Sequence, residues 1–276
     1  MSEMNFYVRD GGAADNGGSG DTDSHKETYA NVTATSIGSG VTDLDNNNGG
    51  AGWGTTADGD WICHDTAGTK ELLLVTDITQ GGGDADVIRV VTISATPITT
   101  TTGVAVKVGG AFDTVTLGNG SLEDYIAGFG SGAGLDGEFR WLNIEGDQTY
   151  ALSGAIEFTV HGTALRPRGM RGTSGFTAKP ILSHASVDII DTAGFDYVVL
   201  QDLHCRVTGG TADALDLGAT HSIFINRCVF EQTGGTGDLV KDARADTVFW
   251  DCEFKINGGS GRLIDGNTGL IWYDNC

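Results

Sequence analysis

Short apolar segments separated by glycine-rich turns run along the chain, and from Tyr197 onward they recur at a nearly constant spacing. Three markers return together every 24 or 25 residues: Leu203, Cys228, Cys252 and Cys276; Leu215, Leu239 and Leu263; and the glycine pairs at 209–210, 234–235 and 258–259. A repeat of fixed length is typical of a solenoid, because each unit is stable only when it stacks on its neighbours. The pattern predicts one coil per repeat.

Stacked coils place equivalent residues in columns about 4.8 Å apart, and these columns can be checked for chemical sense. Alternation along each strand points two apolar columns toward a core: Leu203, Cys228, Cys252 and Cys276, and Cys205, Phe230 and Phe254. Beside them lie two columns of alternating charge: Asp202, Arg227 and Asp251, and Arg206, Glu231 and Lys255. Opposite charges on neighbouring strands stabilise by roughly 0.2–1 kcal/mol per pair. The columns therefore support a stacked parallel arrangement.

The rest of the chain divides into sections by composition. We expect residues 1–80 to form an irregular, Gly- and Asp-rich β section, residues 81–150 to form a connecting β section, and residues 151–276 to form the coils. Strand patterns occur at Trp61–Cys63, Glu71–Val75 and Val87–Ile93. The segment Ser121–Phe129 has apolar residues at helical spacing and is the one helix predicted. The fold class is therefore all-β, with a right-handed parallel β-helix in the C-terminal part.

Composition and charge exclude several classes of partner. The chain has 44 glycines but only 3 prolines, and its formal charge of −21 would repel nucleic acid and anionic lipid headgroups. No apolar stretch reaches the roughly 18 residues that span a bilayer, and the first ten residues lack the pattern of a secretory signal. We expect neither a nucleic-acid nor a membrane partner.

The repeat segments resemble the pectin lyase-like right-handed parallel β-helix family. The resemblance lies in Ile223–Phe230, in its echo Val248–Phe254 and in the glycine turns, while Asn5–Gly12 is similar to the entry segment of phage fibre and spike proteins. It implies a protein of the bacteriophage virion, made in the host cytoplasm, that contacts other virion proteins. It also implies a homotrimer and, in the spike proteins, binding of a host surface polysaccharide.

Two groups of residues are candidates for metal or redox chemistry. Asp43, Asp45 and Asn47 alternate as in a calcium loop, but Gly54 stands at the twelfth position, where a bidentate glutamate is required. A solvated acidic loop is the favoured interpretation, and calcium is the only cofactor considered. The cysteine column is interpreted as part of a structural core ladder rather than as a redox site, because stacked parallel side chains make poor disulfide geometry. That ladder comprises Leu203, Cys228, Cys252, Cys276, Leu215, Leu239 and Leu263.

Candidate catalytic groups are abundant but unordered. Arg166, Arg168 and Arg171 form the one dense basic stretch, which a polysaccharide lyase could use but which we interpret as a structural turn. Glycoside hydrolysis needs two carboxylates about 5 to 9.5 Å apart. The carboxylates that could pair are Asp213, Asp216, Asp238, Asp242, Asp246 and Asp265. No pair stands out, and we assign no catalytic residue.

Two functions remain open. The first is a non-catalytic virion structural protein, either a capsid decoration or a tail fibre or spike component. The second is a carbohydrate-binding or polysaccharide-degrading β-helix, acting as a lyase or hydrolase. We favour the first. The last coil would leave an exposed strand edge at Cys276, so we also expect that end to be covered by a partner, another copy or further chain.

Overall fold

The computed structural model describes residues 3–14, 16–38, 40–47, 52–66, 69–78, 87–92, 101–129, 139–159, 167–192, 194–218, 222–243, 246–266 and 271–276. About half of the residues lie in strands and 5% in a helix, which confirms the all-β class. The chain forms two compact units, one of residues Phe6–Ala133 and one of Gly134–Cys276 with Met1–Asn5.

The first unit is built on antiparallel strands. Its elements are β1 (Glu3–Val8, which begins in the other unit), β2 (Glu27–Gly38), β3 (Val41–Asn46), β4 (Trp61–Thr66), β5 (Thr69–Asp77), β6 (Val87–Thr92), β7 (Thr101–Val108) and α1 (Val115–Phe129). Three of these, β4, β5 and β6, confirm the predicted strands, with Ile93 outside the described residues. The order β2-β3-β6-β5-β4-β7 closes into a barrel.

The barrel interior is filled by apolar side chains. On β3 the buried positions alternate with partly exposed ones, so that Leu44 points inward, and on β6 Ile88 and Val90 do the same. The residues that fill the interior are Tyr29, Val32, Ala34, Leu44, Trp53, Ile62, Leu73, Val75, Ile88, Val90, Val106 and Val108. The expectation of an irregular section did not anticipate this closed sheet. The barrel draws strands from both sides of the predicted boundary at residue 80, pairing Glu27 with Val108.

The predicted helix is confirmed and is longer than expected. It begins at Val115 rather than Ser121, and the Thr114 hydroxyl accepts a hydrogen bond from the Leu117 amide as an N-terminal cap. Gly118 and Gly120 are poor helix formers, and they hid the first turns from the sequence pattern. In the part of the chain that the structure describes, no helix has the length and apolar character needed to cross a membrane.

The second unit consists of short parallel strands. They are β8 (Phe139–Ile144), β9 (Thr149–Ala151), β10 (Ile156–Glu157), β11 (Arg168–Gly172), β12 (Ile181–His184), β13 (Ile190–Asp191), β14 (Val198–Gln201), β15 (His204–Val207), β16 (Leu215–Asp216), β17 (Ile223–Asn226), β18 (Val229–Gln232), β19 (Val240–Ala243), β20 (Thr247–Trp250), β21 (Glu253–Ile256), β22 (Ile264–Gly266) and β23 (Ile271–Asp274). They form three sheets: sheet A (β1-β8-β11-β14-β17-β20-β23), sheet B (β9-β12-β15-β18-β21) and sheet C (β10-β13-β16-β19-β22).

Register in sheet A explains where the sequence repeat becomes visible. The inward column pairs Leu142 with Met170, Leu200, Ile225 and then Phe249. These steps are 28, 30, 25 and 24 residues, as the residue numbers show. The spacing is constant only in the last repeats, because turn lengths vary earlier while strand pairing does not. All five side chains are buried.

Sheet B confirms one predicted core column. Cys205 pairs with Phe230, and Phe230 pairs with Phe254, in parallel register. The Phe230 and Phe254 rings stack with their centroids 5.6 Å apart. Cys205 and Phe230 are buried and Phe254 is half-buried. Full burial of a side chain such as that of Phe230 stabilises the unit by roughly 1.5–3 kcal/mol.

Left-handed backbone positions mark both ends of the sheet A strands. Tyr197, Ser222 and Asp246 precede β14, β17 and β20, and Asp202, Arg227, Asp251 and Asn275 follow the strands, all with φ between 51° and 68°. Asp and Asn tolerate this conformation better than most residues. The predicted pairing of Asp202 with Arg227 is confirmed at one of these corners, where the two side chains approach to 2.6 Å.

Candidate functional site

The three candidate calcium ligands lie at the end of a barrel strand. Asp43 and Asp45 are on the extended strand β3, and Asn47 follows it. Asp43 already accepts two hydrogen bonds from the Arg89 guanidinium, at 3.0 and 3.3 Å, and the Asn47 amide donates to the Thr33 hydroxyl at 2.7 Å. The predicted acidic loop is wrong for residues 43–46, because these residues lie in strand β3. An extended strand cannot wrap these oxygens around a cation as a loop does.

The core ladder divides into buried and exposed members. Leu203, Cys228, Cys252, Leu215 and Leu239 are at most 4% exposed, whereas Leu263 is 50% exposed and Cys276 is also exposed. The leucines are not one column, because Leu215 pairs with Val240 and Leu239 lies one residue earlier. The 24-residue spacing of the leucines therefore predicted a wrong column, since paired positions on β16 and β19 are 25 residues apart.

Cys205, Cys228 and Cys252 are buried thiols with suppressed reactivity. Burial raises the pKa of Cys205 to about 12 and that of Cys252 to about 11. Burial likewise raises the pKa of Cys228 well above its ordinary value. A thiol must lose its proton to act as a nucleophile, so these side chains serve as packing groups.

A ladder of aspartates joins successive turns beside sheet C. Asp188 accepts a hydrogen bond from the Asp213 amide at 2.7 Å, and Asp213 accepts one from the Asp238 amide at 2.6 Å. Asp238 in turn accepts one from the Arg262 amide at 2.8 Å. Each carboxylate thus caps the backbone of the next repeat. These aspartates lie 25 residues apart in the sequence, and this spacing could have predicted the ladder.

One part of this ladder gathers three carboxylates. The carboxylate oxygens of Asp188, Asp213 and Asp216 lie within 4.8 Å of one another. The Lys241 ammonium lies 2.6 Å from Asp216 and 3.6 Å from Asp213. Its hydrogen bond to Asp216 raises the pKa of Lys241, and burial raises the pKa of Asp213. Lys241 therefore supplies positive charge to this cluster from within the chain.

Glu231, on the outer side of sheet B, forms a separate site, in which its carboxylate accepts three side-chain hydrogen bonds. The His204 ring nitrogen Nε2 lies 2.9 Å and the Arg206 guanidinium 2.7 Å from one carboxylate oxygen. The Asn257 amide donates to the other oxygen at 2.7 Å. The predicted column Arg206, Glu231 and Lys255 is in register, but the Lys255 ammonium pairs with Glu253 instead.

Acid is expected to weaken the contacts between Glu231 and its hydrogen-bond partners. Burial raises the pKa of Glu231, but hydrogen bonds from Arg206 and Asn257 outweigh it, and the pKa lies below its usual value. The stability that this carboxylate contributes is present above about pH 4.3 and is lost as pH falls through the folded pKa. Burial also lowers the pKa of His204, so its contribution is complete above about pH 6.5 and declines below it.

The measurement is the free energy of unfolding by denaturant at pH 7.5, 5.5 and 3. We expect Glu231→Gln to reduce the loss between pH 5.5 and pH 3, because the variant has no carboxylate to protonate at this position. Glu253→Gln on the same sheet is the matched control and should change the loss much less, because its ion pair with Lys255 is exposed to solvent and contributes little. Parallel curves for Glu231→Gln and the wild type would contradict the assignment.

The basic stretch holds its own unit together. Arg168 is buried with its guanidinium 3.8 Å from the Phe158 ring centroid, and burial lowers its pKa to about 9. Arg171 points outward, lies 4.4 Å from the Trp141 ring centroid and donates to Asn143 at 2.6 Å. These contacts support the structural interpretation. Arg166 lies outside the described residues.

The outer face of sheet A carries exposed apolar side chains. One outward column pairs Val199, Phe224, Val248 and Trp272 in register, and Trp250 lies beside it on β20. We call these five residues the aromatic stripe. Phe224 is 39%, Trp250 49% and Trp272 64% exposed, while Ile225 and Phe249 on the opposite face are fully buried. Sequence reasoning missed the stripe, although its alternation with buried residues was visible.

Comparison with known proteins finds no matching family model, no matching curated protein and no matching solved structure. The geometry of the chain itself must therefore distinguish the candidate sites. Asp213, Asp238 and Glu231 accept hydrogen bonds that hold successive repeats together, as described above. The aromatic stripe differs from them, because it exposes large rings to solvent. It is the candidate functional site.

Proposed function

We propose that the chain is a non-catalytic structural protein of a bacteriophage virion, either a capsid decoration or a component of a tail fibre or spike. In this proposal the second unit is a right-handed parallel β-helix. Support comes from strands that succeed one another through sheets A, B and C with parallel pairing. Parallel crossover connections are right-handed in nearly all proteins. The resemblance of Ile223–Phe230 and Val248–Phe254 to that family points the same way.

The aromatic stripe is the observation that carries this proposal. Aromatic side chains aligned on a rigid sheet face favour an interaction surface, because water-exposed aromatic area is unfavourable until it is covered. The backbone beneath the stripe is held by parallel pairing on β17, β20 and β23. A rigid face loses little conformational entropy on binding, which suits a protein whose role is assembly.

The use of carboxylates also supports a structural role. A glycosidase needs one carboxyl that donates a proton and one that attacks or activates water. Asp213 and Asp238 instead accept backbone amide hydrogen bonds, and Glu231 accepts three side-chain hydrogen bonds. Groups held in this way are poorly placed to exchange protons with a substrate.

Labelling of phage particles tests the proposal directly. We expect gold-labelled antibodies against the chain to decorate particles at regular capsid or tail positions in electron micrographs. Light scattering of the purified chain tests the accompanying homotrimer. Particles without label, together with a free monomer in solution, would refute the structural role.

A carbohydrate-binding or polysaccharide-degrading role is the second candidate. The stripe favours it, because flat exposed rings such as Trp250 and Trp272 can stack on the apolar faces of sugar rings. Incubation with acidic and neutral polysaccharides distinguishes the two functions. New reducing ends or unsaturated products would establish an enzyme, and their absence with retained polysaccharide binding would establish a lectin-like protein.

A further inference from the structure

The aromatic stripe is long and narrow. Its column crosses four adjacent strands, β14, β17, β20 and β23, which span about 14 Å at the usual strand spacing. Each strand offers only two outward positions within its four residues, and these lie about 7 Å apart, so the stripe is about half as wide as it is long. A ligand that covers this surface must run along the column, across the strands.

The size of the stripe argues against a protein face as its occupant. A rectangle of these dimensions covers about 100 Å² between residue centres and roughly 200 Å² with the extent of the side chains added, whereas a stable interface buries about 800 Å² on each partner. The formal charge of −21 also disfavours an acidic ligand at this surface. A thin, extended ligand that is neutral or basic suits the surface better.

Exposed carboxylates border the stripe. Asp246 immediately precedes β20, Asp251 immediately follows it, and Asp274 ends β23. All three are exposed. A basic side chain on a ligand would meet these carboxylates at the strand ends and could stack on Trp250 or Trp272 between them. Arg227, which follows the adjacent strand β17, is held by Asp202 at 2.6 Å. Charge complementarity therefore favours a ligand that carries arginine or lysine.

We propose that the aromatic stripe binds an extended, basic, proline-rich segment of a partner protein. This inference rests on the proposed function, since it names the partner of an assembly surface. Proline-rich segments adopt the polyproline II conformation and dock on exposed aromatic side chains in several unrelated domains. They are already extended when free, so they lose little entropy on binding.

The spacing of the rings matches that conformation. Phe224 and Trp272 occupy one column two strands apart, a separation of about 9.6 Å. Polyproline II repeats every three residues with a rise of about 9.3 Å. Proline at every third position of such a segment therefore places equivalent faces over Phe224 and Trp272, with the intervening residues near Val248 and Trp250. A β-strand ligand, which repeats every two residues at about 6.7 Å, lacks this match.

Peptide binding to the intact chain tests the inference. The probe is a synthetic peptide of about twelve residues with proline at every third position and arginine at both ends, titrated while tryptophan fluorescence is recorded. We expect saturable binding with a dissociation constant below about 1 mM. Phe224→Ser and Trp272→Ser should each weaken binding about tenfold or more, because aromatic anchors dominate small interfaces.

Three controls make the result specific. Phe176→Ser removes a ring that is 37% exposed on the loop after β11, outside the stripe, and should leave binding unchanged. A peptide of equal composition with irregular proline spacing should bind more weakly. Circular dichroism verifies that each variant is folded.

Three outcomes would overturn the inference: absence of peptide binding up to about 1 mM, equal effects of Phe176→Ser and Phe224→Ser, or binding of neutral oligosaccharides in place of the peptide. If phage particles are labelled but the peptide does not bind, the proposed peptide site is wrong and the proposed virion function stands. Unlabelled particles combined with stripe-dependent peptide binding would remove the virion assignment and keep the binding site.

Discussion

Replacing Phe249 with alanine is expected to lower the free energy of unfolding of the parallel-sheet unit by about 3–5 kcal/mol. The Phe249 side chain is fully buried. Its ring centroid lies 5.4 Å from that of Tyr273, 5.5 Å from that of Phe254 and 6.4 Å from that of Phe230. Truncation removes these contacts and leaves a cavity that closely packed neighbours cannot fill.

Phe224→Ala is the matched control for this prediction. Phe224 lies on the adjacent strand β17 but on the outer face, 39% exposed, so its truncation should cost less than about 1 kcal/mol. Denaturant titration monitored by circular dichroism measures both variants. Equal destabilisation by the two substitutions would contradict the assignment of inner and outer faces in sheet A.

Gly235→Ala is expected to destabilise the unit by about 2–4 kcal/mol. Gly235 has φ +91°, a left-handed conformation that disfavours any side chain, and its added methyl group would overlap the Gly210 carbonyl oxygen of the preceding repeat. The obstructing atom belongs to the backbone, so it cannot rotate away. Stacked turns must then separate or distort.

Gly154→Ala provides the comparison within the same unit. A methyl group at Gly154 meets no atom within 4 Å, and the expected change is within about 0.5 kcal/mol. Thermal unfolding monitored by circular dichroism measures both variants. A shift for Gly235→Ala no larger than that for Gly154→Ala would show that the turns are not packed against one another.

Regular spacing made part of the second unit readable from the sequence. In the last repeats the turns have nearly constant length, so equal sequence intervals correspond to paired positions, as for Cys205, Phe230 and Phe254. The signal fails where a turn changes by one residue, as between Leu215 and Val240. It is absent in the earlier repeats, where the step from Met170 to Leu200 is 30 residues.

The side-chain contacts around Glu231 were only partly accessible to sequence reasoning. Arg206 and Glu231 were expected to be neighbours because their repeat positions match, and they form an ion pair. The preference of Lys255 for Glu253 depends on rotamers rather than on register, so the sequence could not reveal it. The stripe could not be recognised from the sequence. Phe224 and Trp272 are exposed because no other described segment of the chain packs on that face of sheet A, and the sequence does not show this.

By itself, the sequence determined the all-β class, the helix near Ser121 and the register of the column Cys205, Phe230 and Phe254, because hydrophobic alternation and repeat length are local properties of the chain. Tertiary structure alone decided the barrel, in which Glu27 pairs with Val108. It also decided the left-handed corners and the aspartate ladder. These features depend on residues far apart in the chain and on the space that turns leave between strands, and a local pattern carries no information about either.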